Sequence, residues 1–250
     1  MSTWLLPLVV AGLALGGVPV ARWLRWVSYR KPDEEDLPLP GKRWWVPPWL
    51  AVAGGLLTWR VVLSDPARGV GEVVDPGVGS GREGWVQLVL LLTLLAVMLA
   101  CVCLAAMDMD VHRLPDRIMW PTMGVLTVGL LLAGLLGGGL LPWVWALLAG
   151  LLCGLAYLLL ALTSLARGSL AIGLGDVKLA ALLGAGLGWF GWQSVVVGMY
   201  AGVLLGGVFA LVLLVLRRVT FGGHLPYGPP MMIGALVGAV LPPDVLSGLF

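Results

Sequence analysis

Residues 85–108 read WVQLVLLLTLLAVMLACVCLAAMD, an apolar run that ends on an aspartate. No charged residue precedes Asp108 within this run, and an apolar helix of about 20 residues is long enough to cross the hydrocarbon core of a bilayer. The stretch therefore predicts a membrane-spanning helix. It also places a carboxylate at the end of that helix, where a charge next to hydrocarbon is costly and suggests a function.

Similar runs recur along the rest of the chain. The 250 residues are 60% hydrophobic and 11% charged, with a mean hydropathy of +1.00, whereas a soluble domain carries roughly 25% charged residues. The sixth span is short and the eighth contains Pro242-Pro243, so we expect seven or eight spans in an all-α, polytopic transmembrane helical bundle. The approximate bounds are 3–21, 45–63, 85–107, 118–140, 142–166, 176–190, 192–216 and 229–249.

The composition argues against several other classes of protein. The net charge is +2 and the basic residues are scattered among loops, so no nucleic-acid partner is indicated. The cysteines Cys101, Cys103 and Cys153 all lie in apolar runs and form no Cys-x-x-Cys pair. Neither a disulfide framework nor a metal site is indicated, and small buried side chains are the simpler interpretation.

The basic residues divide unequally between the two sets of loops. Twelve belong to loops 21–44, 108–117, 167–176 and 217–228 with their flanks, and the other three are Arg60, Arg68 and Arg82. The positive-inside rule places the first set in the cytoplasm. Basic residues follow the first apolar run rather than precede it, which predicts a retained helix with its N-terminus outside. Asp108 and Asp176 are then both expected at the cytoplasmic face.

That expectation depends on the number of spans between the two aspartates. The run from Ile118 to Ala166 is interrupted near its middle by Gly137-Gly-Gly and Pro142. Two helices joined by a tight turn fit the length of this run and the glycines and proline near its middle. With a single span here, the aspartates would lie on opposite faces.

Asp176 lies in the segment Gly173-Leu-Gly-Asp-Val-Lys178. Two glycines within three residues disfavour a regular helix there and leave room for an extended peptide to approach. A loop aspartate that caps the sixth helix is an equally good interpretation of the spacing alone.

Asp108 is followed by two further acidic residues, Asp110 and Asp116. For those two, a solvated loop position or a partnership with Arg113 or Arg117 is the better interpretation. Asp108 adjoins the apolar run most directly, so we expect it to be the least hydrated of the three.

A pair of neighbouring carboxyls would be suited to peptide hydrolysis. Two carboxyls close together share one proton, because both cannot ionise cheaply. The ionised member can activate a water molecule, and the protonated member can polarise the scissile carbonyl and return a proton to the leaving amine. This chemistry requires no metal, cofactor or nucleophilic side chain, and the two histidines, His112 and His224, form no His-Glu-x-x-His motif.

Three elements together resemble a known family. Asp108 with Leu114-Pro115-Asp116, and then Gly173-Leu-Gly-Asp-Val-Lys178, are similar to the type IV prepilin peptidases, which are Gly-x-Gly-Asp intramembrane aspartic proteases. A later stretch, Leu225-Pro-Tyr-Gly-Pro-Pro, is similar to the Pro-Phe-Gly-Pro element of that family. The resemblance covers about residues 85–249.

The resemblance implies both a site and a substrate. It implies a bacterial cytoplasmic-membrane protein that cuts type IV prepilins or pseudopilins on the cytoplasmic side, after a glycine that ends a short basic leader. Type IV pili or protein secretion would be the systems served, with the lipid bilayer as surroundings. The implied catalytic pair is Asp108 and Asp176, supported by Gly173, Gly175, Lys178, Leu114 and Pro115, with no metal and no cofactor.

The first third of the chain departs from the family pattern, which divides the chain into residues 1–84 and 85–250. Many bacterial members carry two Cys-x-x-Cys pairs in the loop after the first helix and also N-methylate the new N-terminus. Residues 21–44 contain no cysteine, which weighs against methyltransferase activity. Within this loop, residues 29–43 read as a solvated linker of mixed charge.

Two other functions are compatible with carboxylates in a membrane protein. An ion- or proton-coupled transporter also uses intramembrane acidic residues and interrupted helices. A carrier would more often place those residues in mid-span and show repeated halves, whereas both aspartates here lie at span ends. A purely structural scaffold would leave the three elements unexplained.

Overall fold

The described part of the chain folds into eight α-helices. A computed structural model describes residues 4–26, 29–31, 40–63, 80–166, 173–215 and 226–241, and no strand lies among them. The predicted all-α fold is confirmed. The helices are α1 (Leu5–Leu24), α2 (Val46–Thr58), α3 (Ser80–Val111), α4 (Asp116–Gly137), α5 (Leu141–Ala166), α6 (Leu174–Gly188), α7 (Trp192–Val215) and α8 (Gly228–Val240).

Five of the helices, α1, α3, α4, α5 and α7, are long and apolar enough to cross a membrane. The other three are shorter. Helix α2 continues into a π-helical turn at Trp59–Leu63, α6 has 15 residues, and α8 has 13. Large apolar side chains point outward along α5, as a lipid-facing surface requires; they include Leu148, Leu151, Leu155 and Leu159. The structure is consistent with the predicted membrane bundle.

The break between α4 and α5 lies where the sequence predicts it. Helix α4 ends at Gly137, and Gly138 adopts a left-handed conformation with φ of 88°, which glycine accepts without steric cost. Helix α5 then starts at Leu141. The run from Ile118 to Ala166 is therefore two helices, as expected, and an even number of helices separates Asp108 from Asp176.

The end of the last helix differs from the expected span. Helix α8 stops at Val240, shortly before the Pro242-Pro243 pair, whereas the predicted span ran from 229 to 249. Residues 242–250 lie outside the described part of the chain.

Glycines bring two pairs of helices into close contact. Gly154 of α5 faces Ala181 of α6, and Gly184 of α6 faces Cys153 of α5, so that the small residues alternate across the contact. Gly202 of α7 lies against the α8 backbone in the same way. Close backbone approach at small residues is the usual way for membrane helices to associate. Asp176 is thus carried by a helix that is tightly packed on α5.

The two aspartates lie at the same end of the bundle, which we call the aspartate end. It contains the C-terminal ends of α3 and α5 and the N-terminal ends of α4, α6 and α8. Hydrogen bonds join these ends, from Gly228 to Asp108 and from Lys178 to Asp116. Helix α8 contacts both α3 and α6, so it lies between the helices that carry the two aspartates.

Candidate functional site

Asp108 lies in the last turn of α3, enclosed by protein. It is 5% exposed, and its Oδ2 accepts a hydrogen bond of 3.0 Å from the main-chain N–H of Gly228 at the start of α8. A methyl group at residue 228 would lie 2.8 Å from that oxygen, so glycine is required for the approach. Asp110 is partly buried and Asp116 is exposed, which confirms that Asp108 is the least hydrated of the three.

A tight reversal follows Asp108 and brings the chain back into α4. The main-chain oxygen of Asp108 accepts from the N–H of His112, and His112 has φ of 51°, a left-handed conformation that ends a helix. Pro115 then caps α4, and its carbonyl accepts from the N–H groups of Ile118 and Met119, each at 3.1 Å.

Leu114, in the same reversal, lies against the first turn of α6. A methyl group at Gly175 would lie 3.2 Å from Cβ of Leu114. The reversal after α3 is therefore in direct contact with the turn that carries Asp176. Of the residues that the resemblance implies as support, Leu114 and Gly175 are brought together, and Pro115 shapes the reversal.

Asp176 is the third residue of α6 and is partly buried. Its Oδ2 accepts a hydrogen bond of 3.2 Å from the main-chain N–H of Gly173. A carboxylate in the first turn also interacts favourably with the helix dipole. Gly173 itself is extended, but Gly175 and Asp176 lie inside the helix, so the expectation of irregular backbone at Asp176 was wrong. The capping interpretation is confirmed, and it does not exclude a catalytic role.

The structure places the side chains of Asp108 and Asp176 at the same end of the bundle. The two carboxyls are close enough for their charges to interact. Oδ2 of Asp108 accepts from the N–H of Gly228 in α8, and Oδ2 of Asp176 accepts from the N–H of Gly173 at the start of its own helix. Among the described residues, no hydrogen bond to either Oδ1 atom is seen. At one end of the membrane bundle, each of the two carboxyls is thus oriented by a main-chain hydrogen bond.

Lys178 points to another acidic residue. Its Nζ lies 2.6 Å from Oδ1 of Asp116, and its charge lies 5.7 Å from the centre of the Trp120 ring. The Asp116 side chain is 60% exposed. The expected partners of Asp116 were Arg113 or Arg117, but the pair observed joins the start of α4 to the first turns of α6.

Asp110 is held by the loop between α1 and α2. Arg30 donates to both of its carboxylate oxygens, at 3.1 and 2.9 Å, and the Tyr29 hydroxyl donates to Oδ2 at 2.6 Å. Arg43 in turn donates to the Tyr29 hydroxyl at 3.3 Å. The Arg30 and Asp110 side chains are 3% and 8% exposed.

This cluster corrects two expectations. Asp110 is not a solvated loop carboxylate, and the partners observed come from α1–α2 rather than from its own loop. The described ends of the predicted linker at 29–43, residues 29–31 and 40–43, include buried contacts, while residues 32–39 lie outside the described part of the chain. Both expectations failed because Asp110 pairs with Arg30, 80 positions away, and local charge patterns do not reveal such a distant partner.

Two tyrosines adjoin the aspartate pair and were not singled out by the sequence. Tyr157 of α5 and Tyr227, just before α8, have hydroxyls that face each other, and both interact with the charge of Asp176. Tyr227 belongs to the third element of the resemblance, so the sequence could have indicated it as a site residue. Tyr157 lies in an apolar run and gave no such indication.

An apolar cavity of about 270 Å³ lies within the bundle, and neither aspartate is among its lining residues. Its walls near the aspartate end include Met109 and Pro229, the residues that directly follow Asp108 and Gly228. It extends through the bundle to Phe190 and Ala239, and none of its lining side chains is charged. In the described ranges, no three His, Cys, Asp or Glu side chains are arranged as metal ligands.

The fold and the paired aspartates define a class of helical membrane protein with a two-carboxylate site. Residues 91–214 match the sequence model of the type IV leader peptidase family. Residues 91–214 thus form a region of this family, and they include both Asp108 and Asp176.

Two curated proteins are similar to the chain. A Pseudomonas putida protein named prepilin leader peptidase/N-methyltransferase is 32% identical over 155 residues, covering 60% of the chain and 49% of that protein. A protein of the same name from Pseudomonas aeruginosa is 34% identical over 76 residues, covering 30% of the chain and 25% of that protein. The chain thus spans about half the length of the first. No solved structure gives a significant match.

Proposed function

We propose that the chain is a membrane-embedded aspartic endopeptidase that removes the leader of type IV prepilins or pseudopilins. The observation that carries this proposal is the meeting of Asp108 and Asp176 at one end of the bundle, with each carboxyl held by a main-chain N–H. Membership of the type IV leader peptidase family supplies the substrate class.

The proposed reaction begins with one carboxyl ionised and the other protonated, the state favoured when two carboxyls are close. The ionised member takes a proton from water as the water oxygen bonds to the carbonyl carbon of the scissile peptide, and the protonated member gives its proton to the carbonyl oxygen. The C–N bond then breaks, the amine nitrogen takes a proton, and a hydroxyl of the tetrahedral intermediate returns one to the pair. One shared proton remains at the end.

The hydrogen-bonding of the pair is consistent with this reaction. The N–H groups of Gly228 and Gly173 occupy Oδ2 of Asp108 and Asp176, and these fixed contacts orient the free Oδ1 atoms without any rearrangement during the reaction. Gly173, Gly175, Leu114 and Pro115 act, in this proposal, by shaping the two turns that present the carboxyls.

The apolar cavity fits the chemistry of the proposed substrate. A peptide bond cut beside Asp108 would lie near Met109 and Pro229, which line a cavity with uncharged walls. An apolar substrate segment gains free energy by leaving water for such a surface. The basic leader would remain outside the cavity.

We further propose that the site faces the cytoplasm and that the protein crosses the bacterial cytoplasmic membrane several times. The support is the distribution of Lys and Arg, twelve on the side of the two aspartates and three on the other. Residues 85–250 would form the peptidase region and residues 1–84 an N-terminal membrane region. No methyltransferase activity is proposed, since residues 21–44 contain no cysteine.

The test is cleavage of a co-expressed type IV prepilin in bacteria that lack their own peptidase. Asp108→Asn and Asp176→Asn are each expected to reduce processing on the order of 10³-fold or more, with normal amounts of protein in the membrane fraction. Asp116→Asn is the matched control, because Asp116 is exposed at the same end, and it should retain processing. Full processing by either catalytic variant, or solute flux in liposomes without cleavage, would contradict the proposal.

A further inference from the structure

Tyr157 lies on the face of α5 that packs against the start of α6. One turn earlier on this face, a methyl group at Gly154 would lie 3.1 Å from Cβ of Ala181 and 3.9 Å from the main-chain oxygen of Val177. Residues three apart share a helix face, so Tyr157 continues this line toward the turn that carries Asp176. The geometry of the α5–α6 contact thus directs a phenol to the aspartate pair.

Tyr227 brings a second hydroxyl to the same place from the other side. It directly precedes Gly228, the hydrogen-bond donor to Asp108. Its ring is fixed by α7, since a methyl group at Gly206 would lie 3.1 Å from Cζ of Tyr227.

The hydroxyl of Tyr157 has no structural role that accounts for its burial. Tyr157 is 6% exposed and its hydroxyl oxygen is enclosed by protein. That hydroxyl faces Tyr227 but forms no hydrogen bond of good geometry with any described residue. Burying a hydroxyl without a partner costs free energy, and a phenylalanine would fill the same space without that cost. Such groups in a folded protein call for a functional explanation.

We propose that Tyr157 is a further catalytic residue, whose hydroxyl donates a hydrogen bond to the oxygen of the scissile carbonyl on the Asp176 side of the aspartate pair. Tyr227 is a positioning residue, whose hydroxyl lies beside that of Tyr157 and limits the directions in which it can turn. The inference rests on the proposed peptidase function and adds a donor that the two-carboxyl mechanism does not include. Negative charge develops on the carbonyl oxygen as water attacks, and a donor already in place stabilises it.

The alternative is that Tyr157 only fills the core. The two roles make different predictions, because the hydroxyl contributes no hydrogen bond to the fold. Removing it should not lower the melting temperature in either case, since a buried hydroxyl without a partner costs free energy, but only the catalytic role predicts a loss of turnover. A binding role would raise KM instead, since it would act on the bound substrate and the transition state equally.

The test is the kinetics of prepilin cleavage by the full chain purified in detergent. Tyr157→Phe is expected to lower kcat about 10²-fold, as for loss of one oxyanion donor, with KM unchanged and with no decrease in the melting temperature. Tyr200→Phe is the matched control: Tyr200 is 64% exposed on α7 and its variant should behave as the unmodified protein. Full kcat for Tyr157→Phe, or a raised KM at full kcat, would overturn the proposal.

Tyr227→Phe provides a second, independent measurement. It should lower kcat less than Tyr157→Phe, and it should cause no further loss when combined with it, because the two hydroxyls act as one unit. Additive losses would overturn the assignment of Tyr227. If Tyr157→Phe does not fold, the kinetics of Tyr227→Phe test the proposal instead, and full kcat for Tyr227→Phe would overturn it. Absence of cleavage by the unmodified protein would overturn the peptidase function as well. Cleavage that is unaffected by the tyrosine substitutions would overturn only the role of the tyrosines.

Discussion

The main-chain N–H of Gly228 donates a hydrogen bond of 3.0 Å to Oδ2 of Asp108, across 120 positions of the chain. The contact joins the start of α8 to the last turn of α3. Because a main-chain donor in a helix start has little freedom to move, it fixes the orientation of the carboxyl more firmly than a side chain would. Helix α8 therefore determines how Asp108 is presented.

Gly228→Ala is expected to reduce prepilin cleavage about 10²-fold, the scale of losing one preorganised donor. The added methyl would lie 2.8 Å from Oδ2 of Asp108, so the carboxyl must turn away from the N–H. Gly124→Ala is the control, since a methyl there meets nothing within 4 Å. Equal cleavage by the two variants would show that the Gly228 contact does not matter for the reaction.

Asp110→Asn is expected to destabilise the folded protein by about 3 kcal/mol, because it removes the charge of a carboxylate that pairs with a buried arginine. Arg30 is 3% exposed at this contact. Asp116→Asn breaks an exposed pair with Lys178 and should cost less than about 1 kcal/mol. Thermal unfolding in detergent measures both, and a similar small loss in both would mean that the Arg30 contact contributes little.

Gly184→Ala is expected to cost about 1–3 kcal/mol by overpacking the contact between α5 and α6. Its methyl would lie 2.7 Å from both Cβ and Sγ of Cys153 and 3.0 Å from the main-chain oxygen of Ala149. Gly186→Ala, two residues further along α6, meets its nearest atom at 4.0 Å and should gain about 0.5–1 kcal/mol. The same unfolding experiment compares them, and stabilisation by Gly184→Ala would disprove the close packing.

The pH dependence of stability should contain a contribution from Tyr29. Burial, together with the hydrogen bond to Asp110, raises the pKa of Tyr29 from 10.0 to about 12. The folded chain then keeps a proton that the unfolded chain releases above about pH 10, so this stabilisation is fully present below pH 10 and is lost as the pH rises to about 12.

Phenolate absorbance measures this directly. The difference between the titrations of the unmodified protein and Tyr29→Phe should have its midpoint near pH 12, and the variant should lose less stability over that interval. A midpoint near 10 would mean that the Tyr29 hydroxyl is not held by Asp110.

The sequence predicts the features that depend on local pattern. The apolar run before Asp108 is visible in residues 85–107, and the glycines after residue 136 mark the turn between α4 and α5. The acidic residue in the first turn of α6 is equally local. From these, the helices and the common end of the two aspartates follow without any knowledge of tertiary contacts.

The remaining features depend on contacts between distant residues. Gly228 acts through its main chain, which carries no side-chain signal, and the Arg30–Asp110 pair joins residues 80 positions apart. Tyr157 lies among leucines and alanines and looks like a core residue until α6 is packed against it. Asp176 lies in helix despite two nearby glycines because the Gly173 N–H and the carboxyl satisfy each other.

The family match ends earlier in the chain than the residues that form the candidate site. The match ends at residue 214, whereas Gly228, which donates to Asp108, and Tyr227, which lies beside Asp176, come later in the chain. A fragment cut at the end of the match would retain both aspartates yet lose the N–H group that orients one of them. Under the proposed function, the minimal active unit therefore extends to α8, and truncations designed from sequence similarity alone would remove part of the candidate site.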